Sequence, residues 1–247
     1  MSDLVYGIHA VTAALSQPGT ITELYLVERQ RPNPRLAKVI DQAKSARVAI
    51  RYIPRDELEQ MADGNRHQGV VVRLAAAASP AMGKKDLITF VDELGRAPFL
   101  LILDSVQDPH NLGACMRSAD AAGVDAVIVP KDKAVGLTPA VRKVACGAAE
   151  SVPFFQVTNL ARTLRELQQA GVWLIGAAGE AASDLYHVDL KGPLAIVMGS
   201  EEKGLRRLTR EHCDALVRIP MVGGVESLNV SVATGICLFE ALRQRKM

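Results

Sequence analysis

The chain has 247 residues, which is enough for one large domain or two modest ones with hydrophobic cores. Its residues are 49% hydrophobic but only 4% aromatic, so the core is predicted to consist of Val, Leu, Ile and Ala. The formal net charge of +2 excludes any argument for a polyanionic partner from bulk charge alone.

The first part of the chain is predicted to form a small α/β domain at residues 1–74. Its apolar pattern predicts helices at residues 7–15, 34–46 and 55–61 and strands at 22–27, 48–53 and 69–74. Residues 1–84 contain 11 Lys and Arg against 8 Asp and Glu, a net of +3. This excess is compatible with contact to a polyanion and equally with scattered surface charge. The polar stretch at residues 65–69 either lines a surface or forms a simple loop.

A change of composition separates this part from the rest. Residues 75–83 are mainly alanine with Ser, Pro and Gly, which is typical of a linker, and we place the linker at residues 75–84. Residues 85–247 are then predicted to form a second domain.

The second domain alternates strands with helices in larger units. Strands are predicted at residues 99–103, 126–130, 154–157, 173–177, 194–198 and 216–219, and helices at 87–94, 111–122, 139–149, 160–170, 208–213 and 228–245. Nearly continuous apolar strands between helices predict a parallel sheet covered on both faces. Ligands of such sheets bind at the carboxyl ends of the strands.

The cysteines and apolar runs indicate the cellular setting. Cys115, Cys146, Cys213 and Cys237 are widely spaced without a Cys-x-x-Cys pair, so we expect buried free thiols rather than zinc or disulfides. No apolar run approaches the length of a membrane span. We therefore expect a cytoplasmic protein with no membrane and no metal partner.

The first candidate site loop, residues 104–117, follows the strand at 99–103. Asn111 is predicted to cap the following helix, and Gly113 allows close backbone approach. Arg117 lies four residues after Gly113, on the same face of the predicted helix, and could project towards the same end of the preceding strand. The alternative is an ordinary strand–loop–helix with a surface arginine.

The second loop, residues 198–204, contains Gly199, Glu201 and Gly204. It lacks the Lys-Ser/Thr pair that a P-loop uses for phosphate and magnesium, which excludes a nucleoside triphosphatase. Two glycines with acids between them suit close approach to a neutral or cationic ligand. An acidic turn is the alternative.

The third loop, residues 219–229, leads into the last helix. It contains a Gly-Gly pair followed by Ser227 and Asn229, which are short hydrogen-bonding side chains. Both could be simple helix caps. Small residues early in the helix suggest close approach of a backbone, a ligand or another subunit.

In this order the three loops resemble the motifs of the SpoU (TrmH) family of RNA ribose 2′-O-methyltransferases, within the SPOUT superfamily. The resemblance covers the whole chain and rests on Asn111, Gly113, Arg117, Gly199, Glu201, Gly204, Ser227, Leu228, Asn229 and Ala233. Residues 6–11 and 67–69 and the tail from residue 227 resemble the branch that methylates a guanosine in 23S rRNA.

The resemblance implies a fold and a set of partners. It implies an α/β, trefoil-knotted parallel-sheet SPOUT domain at residues 85–247 and an L30e-like RNA-binding domain at 1–74. It implies a homodimer acting on 23S rRNA. S-adenosylmethionine would bind against the backbone of Gly199, Ile219, Met221 and Leu228, and no metal is implied.

The resemblance also implies a catalytic set, in which Arg117 is the key residue. A guanidinium has a pKa above about 12, so we expect a cation that holds phosphate rather than a general base. Asn111, Glu201, Ser227 and Asn229 would orient this arginine and the ribose. The alternatives are a tRNA ribose 2′-O-methyltransferase of the same family and a non-catalytic RNA-binding ribosome-assembly factor.

Overall fold

The structure, a computed structural model, describes residues 4–16, 21–28, 34–64, 67–74, 84–201 and 203–246, without the side chains of residues 84–86. Its backbone divides into two compact units. The first consists of Met1–Pro80 and Leu137–Ser151, and the second of Ala81–Gly136 and Val152–Met247. The predicted linker falls almost wholly outside the described residues, so the domain boundary stays a prediction. Asn65 and Arg66 of the polar stretch at residues 65–69 also lie outside the described residues.

The first unit contains a mixed four-stranded sheet. Its strands are β1 (Leu4–Tyr6), β2 (Ile21–Val27), β3 (Ala49–Ile53) and β4 (Val70–Leu74), in the spatial order β1-β4-β2-β3. Strands β2 and β3 are parallel, whereas β4 is antiparallel to β1 and β2. Helices α1 (Ile8–Leu15), α2 (Pro34–Ser45) and α3 (Arg55–Ala62) accompany it. The predicted α/β character is confirmed, with β1 as an additional strand.

The second unit contains a seven-stranded sheet. Its strands are β5 (Phe99–Leu103), β6 (Ala126–Pro130), β7 (Phe154–Val157), β8 (Trp173–Ala177), β9 (Ser183–Asp184), β10 (Leu194–Met198) and β11 (Ala215–Arg218). The spatial order is β7-β6-β5-β10-β8-β11-β9, and every neighbouring pair is parallel. Strands β5, β6 and β10 are buried along their whole length. The predicted parallel sheet is therefore confirmed, and the trefoil knot stays a prediction.

Helices follow most of these strands. They are α4 (Lys84–Glu93), α5 (Pro109–Ala122), α6 (Pro139–Ala145), α7 (Ala148–Ser151), α8 (Leu160–Gln169), α9 (Arg207–Glu211) and α10 (Val230–Arg245), of which α6 and α7 belong to the first unit. The single helix predicted at residues 139–149 is wrong. Cys146 (φ 53°) and Gly147 (φ 103°) adopt the left-handed conformation, which ends α6 before α7 begins.

Candidate active site

Two loops leave the carboxyl edge of the second sheet side by side. Strands β5 and β10 are adjacent and parallel, with Leu103 opposite Met198. The backbone N–H of Asp104 donates to the carbonyl of Met198 at 2.7 Å. After β10 the chain turns back at an antiparallel bridge, where Ser200 and Gly204 exchange two backbone hydrogen bonds of 3.1 and 2.9 Å. The first and second predicted site loops therefore lie together.

Gly199 is required by this turn. A Cβ atom at this position would collide with the backbone of Gly204 and Leu205. Since backbone atoms cannot move aside like a flexible side chain, only glycine fits here. The close backbone approach predicted at residue 199 is made by the chain itself.

Helix α5 carries Asn111 on its buried side. The Asp108 side chain caps the helix by accepting from the N–H of His110 at 2.9 Å, and Pro109 occupies the first helical position. The prediction that Asn111 is the cap is therefore wrong, because the Asp-Pro pair begins the helix three residues earlier. Asn111 is only 9% exposed, and its amide is available for tertiary contacts.

A polar cluster joins the three predicted loops. The Oε1 atom of Glu201 accepts from Asn111 Nδ2 at 3.0 Å, from the backbone N–H of Val230 at 3.3 Å, and from Asn229 Nδ2. Asn229 Nδ2 also donates to Asn111 Oδ1 at 3.0 Å. Three side chains that are 28 to 118 residues apart in the sequence thus share one hydrogen-bond network.

Asn229 has a second role in the same network. Its Oδ1 atom caps α10 by accepting from the N–H of Ser231 at 2.9 Å and from the Ser231 hydroxyl at 2.6 Å. The capping interpretation of Asn229 is therefore confirmed, and its role in a functional site stays a prediction. The start of α10 and the polar cluster are fixed by one amide.

A cavity of about 340 Å³ is lined in part by the loop that follows β10. Its wall includes all four predicted cofactor residues, together with Glu201 and Ser227. The four are Gly199, Ile219, Met221 and Leu228. The volume lies in the range of pockets that hold small molecules, about 300–1,000 Å³. We call this the first cavity.

A second cavity of about 480 Å³ adjoins the first. It is lined by residues 105–108 and by Asn111, Lys133 and Arg206, and it shares residues 200, 201, 203, 204 and 230 with the first cavity. Glu201 of the polar cluster therefore lines both cavities, and Asn111 lines the second. Two ligands bound in adjoining cavities would both lie next to the same hydrogen-bonding groups.

Sequence reasoning did not identify the ion pair between buried Asp104 and partly exposed Arg206 beside the second cavity. Asp104 is fully buried, and its two oxygens accept from the Arg206 backbone N–H at 3.1 Å and from the Arg206 Nε at 2.6 Å. The Ser105 hydroxyl also donates to this carboxylate at 3.1 Å. An acid directly after a buried strand was the available signal, but its partner lies 102 residues away.

Comparison with known proteins decides the family. The model of the SpoU rRNA Methylase family matches residues 98–239, and the RNA 2′-O ribose methyltransferase substrate-binding model matches residues 4–80. This chain belongs to the SpoU rRNA Methylase family. The loops of the polar cluster all lie inside the methylase match.

Relatives of this family member are similar over their full length. The chain is 59% identical over 245 residues to the 23S rRNA (guanosine-2′-O-)-methyltransferase RlmB of Shewanella oneidensis, which covers 99% of this chain and 98% of that protein. It is 54% identical over 247 residues to the Escherichia coli K12 protein of the same name, covering 99% of this chain and all of that protein.

A solved structure supports the same fold. The AdoMet-bound rRNA methyltransferase from Sinorhizobium meliloti has a TM-score of 0.79 and 26% sequence identity, and the match covers 98% of this chain and 87% of that one. The second unit of this SpoU family member therefore has the SpoU-type methyltransferase fold.

The hydrogen bonds described for the cluster involve neither Ser227 nor Arg117 of the predicted catalytic residues; Ser227 lines the first cavity, whereas Arg117 lies elsewhere. It is exposed on α5, six residues after Asn111, and it lines neither cavity. Six residues rotate a helix by about 600°, so Arg117 leaves α5 about 120° away from Asn111. Within one chain the two side chains therefore face different directions.

The cysteines of this SpoU family member are unsuited to nucleophilic chemistry where they are buried. Burial raises the pKa of Cys115 to about 11, and the pKa values of Cys213 and Cys237 to about 12. These thiols stay protonated at neutral pH and act as apolar packing groups. Cys115 and Cys237 are buried as predicted, Cys213 is partly buried, and Cys146 is exposed.

In the described part of this SpoU family member, no helix has both the length and the apolar character needed to span a bilayer. No group of three or more His, Cys, Asp and Glu residues there is arranged to hold a metal ion.

Proposed function

We propose that this chain transfers a methyl group from S-adenosylmethionine to the ribose 2′-oxygen of a guanosine in 23S rRNA. The observation that carries the proposal is the cluster of Asn111, Glu201 and Asn229 at the carboxyl edge of the sheet, in which Glu201 lines both of two adjoining cavities. The first cavity suits the methyl donor and the second suits the RNA ribose. The choice of guanosine and of 23S rRNA rests on the activity named for the full-length RlmB relatives.

The residues of the first cavity fit S-adenosylmethionine. Ile219 and Leu228 offer apolar surface for the adenine, and Gly199 keeps the wall free of a side chain. The lining contains three carboxylates (Glu180, Glu201 and Glu226) and three cations (Lys203, Arg210 and Arg218), and S-adenosylmethionine likewise carries charges of both signs. When bound, S-adenosylmethionine supplies an electrophilic methyl group on its sulfonium.

The polar cluster would position the ribose. Glu201 is held by three N–H donors, so its orientation is fixed before the RNA arrives. A preorganised set of this kind lowers the barrier by alignment, because little rearrangement is needed during the reaction. Ser227 lines the first cavity and is proposed to complete the set.

Arg117 is proposed to act from a second copy of the chain. It is exposed on α5, and α5 packs against α10. The outer face of α10 exposes Val232 at 51% and Phe239 at 48%, seven residues apart on one helical stripe. A homodimer through this apolar stripe would cover it and could carry each Arg117 to the partner's site. There its cation would hold a phosphate and favour ionisation of the 2′-hydroxyl.

The first unit is proposed to bind the RNA. Its match to the substrate-binding model at residues 4–80 and the net charge of +3 over residues 1–84 support this role. An L30e-like domain at residues 1–74, the linker at 75–84 and the catalytic domain at 85–247 remain our proposed division. Because the substrate is ribosomal RNA, we place the protein in the cytoplasm.

The alternatives predict different results in one transfer assay. Radiolabelled S-adenosylmethionine is incubated with the protein and with 23S rRNA or bulk tRNA. We expect label in 23S rRNA and none in tRNA. Label in tRNA alone would support a tRNA ribose methyltransferase. If neither RNA is labelled and calorimetry detects no binding of S-adenosylmethionine, the result would support a non-catalytic factor.

A further inference from the structure

The second cavity continues into a third. The third cavity, of about 490 Å³, is lined by residues 158–161 before and at the start of α8 and by residues 206–209 at α9. Lys133 and Arg206 line both cavities. The two cavities therefore form one groove, which we call the basic groove, and it begins at the polar cluster.

The charge of the basic groove favours an anion. Its lining contains four cations: Lys133, Lys203, Arg206 and Arg207. Its carboxylates are those of Asp108, Asp132 and Glu201. Groups of both signs already have protein partners: Asp108 caps α5 and Glu201 accepts from the cluster amides, while Arg206 bonds to Asp104 and Arg207 to Glu211. By count the lining still carries four cations against three carboxylates, an excess of one positive charge.

Arg206 is held with part of its guanidinium directed to solvent. Its Nε and backbone N–H bond to buried Asp104, while the Arg206 side chain is 40% exposed. In the part of the chain that the structure describes, neither terminal nitrogen of Arg206 has a hydrogen-bond partner. Asp104 thus fixes the orientation of Arg206 and leaves the two terminal guanidinium nitrogens available to bind an oxyanion.

The backbone of the groove is strained at two points. Ser105 (φ 67°) and Lys133 (φ 62°) are the non-glycine residues with positive φ among the described residues of the second unit. Both line the groove. The loops that contain them are joined by a 3.1 Å hydrogen bond from the Val135 N–H to the Val106 carbonyl. Such conformations are costly for residues with a Cβ and concentrate at functional sites.

No aromatic side chain occurs among the described residues that line the groove. Stacking of bases is therefore not its means of recognition, whereas cations suit phosphates. We infer that the basic groove binds the RNA phosphates next to the methylated ribose, with Lys133 and Arg206 as contacts and Asp104 as a positioning residue for Arg206. The inference rests on the proposed function, since it extends the same site.

Salt-dependent RNA binding tests the groove. Binding of a 23S rRNA fragment is measured by fluorescence anisotropy over a series of KCl concentrations for wild type, Lys133→Ala, Arg206→Gln and Lys191→Ala. The slope of log K against log salt is negative, and each lost phosphate contact decreases its magnitude by about 0.7 to 0.9. We expect this decrease for Lys133→Ala and Arg206→Gln. Lys191→Ala, which removes an exposed charge before the amino end of β10, should keep the wild-type slope.

Lys133→Gly separates function from folding. Glycine relieves the positive φ, so the melting temperature should be at or above that of wild type while the salt slope still falls. The KM for RNA should rise about tenfold and the KM for S-adenosylmethionine should stay unchanged. Slopes of the Lys133 and Arg206 variants equal to that of Lys191→Ala would overturn the inference.

Failure of the proposed function would look different. In that case wild-type protein would transfer no methyl group to 23S rRNA, whatever the slopes of the variants. The binding measurement would still report whether Lys133 and Arg206 contact phosphate. The two results are thus read from separate assays.

Discussion

At the scale of single residues, Glu201 is the point where the three site loops meet. One of its oxygens accepts from α5, from the start of α10 and from the Asn229 amide. A carboxylate with this many donors is an oriented acceptor, and orientation is what an in-line methyl transfer requires. We therefore expect the amides of Asn111 and Asn229 to contribute to the proposed activity through geometry more than through charge.

Two substitutions of Asn229 separate its capping role from its site role. Asn229→Ala should lower the stability of the protein by about 1 kcal/mol, because α10 loses its cap, and should reduce kcat by about 100-fold. Asn229→Ser keeps a capping hydroxyl but cannot span the cluster, so it should recover stability without activity. The measurements are thermal denaturation and methyl transfer. Recovery of both properties by serine would limit Asn229 to a cap.

Arg117 substitutions test the cation role. Arg117→Ala should reduce kcat by about 100- to 1,000-fold, because a charge at the reacting oxygen is lost. Arg117→Lys should retain part of the activity, since it keeps the positive charge. Equal and complete loss in both variants would point to the planar fork of the guanidinium instead. Wild-type activity in Arg117→Ala would make this arginine an ordinary surface residue.

Some residue-level predictions could be made from the sequence and others could not. The types of Glu201 and Asn229 within their loops indicated the site, because both follow strands that end at one edge of a parallel sheet. The pair of Asp104 and Arg206 depends on the tertiary arrangement of two loops, which no local pattern encodes. The observed cap of α5 differs from the predicted one because the Asp108-Pro109 pair, with a capping carboxylate and a proline at the first helical position, starts the helix before Asn111.

At the scale of elements, the turn after β10 makes the first cavity possible. Gly199→Ala should destabilise the fold by about 1–3 kcal/mol, because its Cβ has only backbone to displace. S-adenosylmethionine binding, measured by calorimetry, should be lost with it. Gly179→Ala is the matched control, since Gly179 lines the same cavity and an added Cβ would have no atom within 4 Å. A control as unstable as Gly199→Ala would contradict the steric explanation.

The last turns of α10 are fastened by Glu240. Its carboxylate accepts from Arg243 Nε at 2.9 Å and from Gln244 Nε2 at 2.8 Å, and Gln244 also donates to the Val188 carbonyl at 3.1 Å. The hydrogen bond from Arg243, and then that from Gln244, lowers the pKa of Glu240 to about 2. The α10 end is thereby tied to the loop before β10.

This lowered pKa predicts a pH dependence of stability. The folded pKa of Glu240 lies below the ordinary value of 4.5, so its contribution is fully present above pH 4.5. The contribution is lost as the pH falls from 4.5 towards 2. The difference in unfolding free energy between wild type and Glu240→Gln, measured by urea denaturation, should therefore shrink across this window. A difference that is constant from pH 7 to pH 3 would contradict the assignment.

At the scale of the whole molecule, periodicity predicted the order of most helices and strands, and it predicted the parallel sheet. The short strands β1 and β9 were not predicted, because strands of three and two residues are too short to show an alternation of apolar and polar side chains. The strand order, with β10 between β5 and β8, could not be predicted because it depends on long-range pairing. That order is what brings residues 104 and 198 together.

The proposed homodimer predicts complementation between two inactive variants. Arg117→Ala and Asn229→Ala proteins are mixed, unfolded together and refolded. If Arg117 acts in the partner's site, each mixed dimer has one intact site, so about one quarter of wild-type activity should return. Separately refolded variants are the control. No recovery in a mixture shown to contain mixed dimers would place Arg117 in its own chain's site or outside catalysis.

The most direct measurement is mass spectrometry of 23S rRNA after incubation with the protein and S-adenosylmethionine carrying a deuterated methyl group. We predict a single guanosine whose ribose carries the deuterated methyl group on the 2′-oxygen, absent when Glu201→Ala protein is used. A label on a base, on another nucleotide, or undiminished in Glu201→Ala would contradict the account of a ribose that the Asn111–Glu201–Asn229 cluster positions in the second cavity, next to the methyl donor in the first.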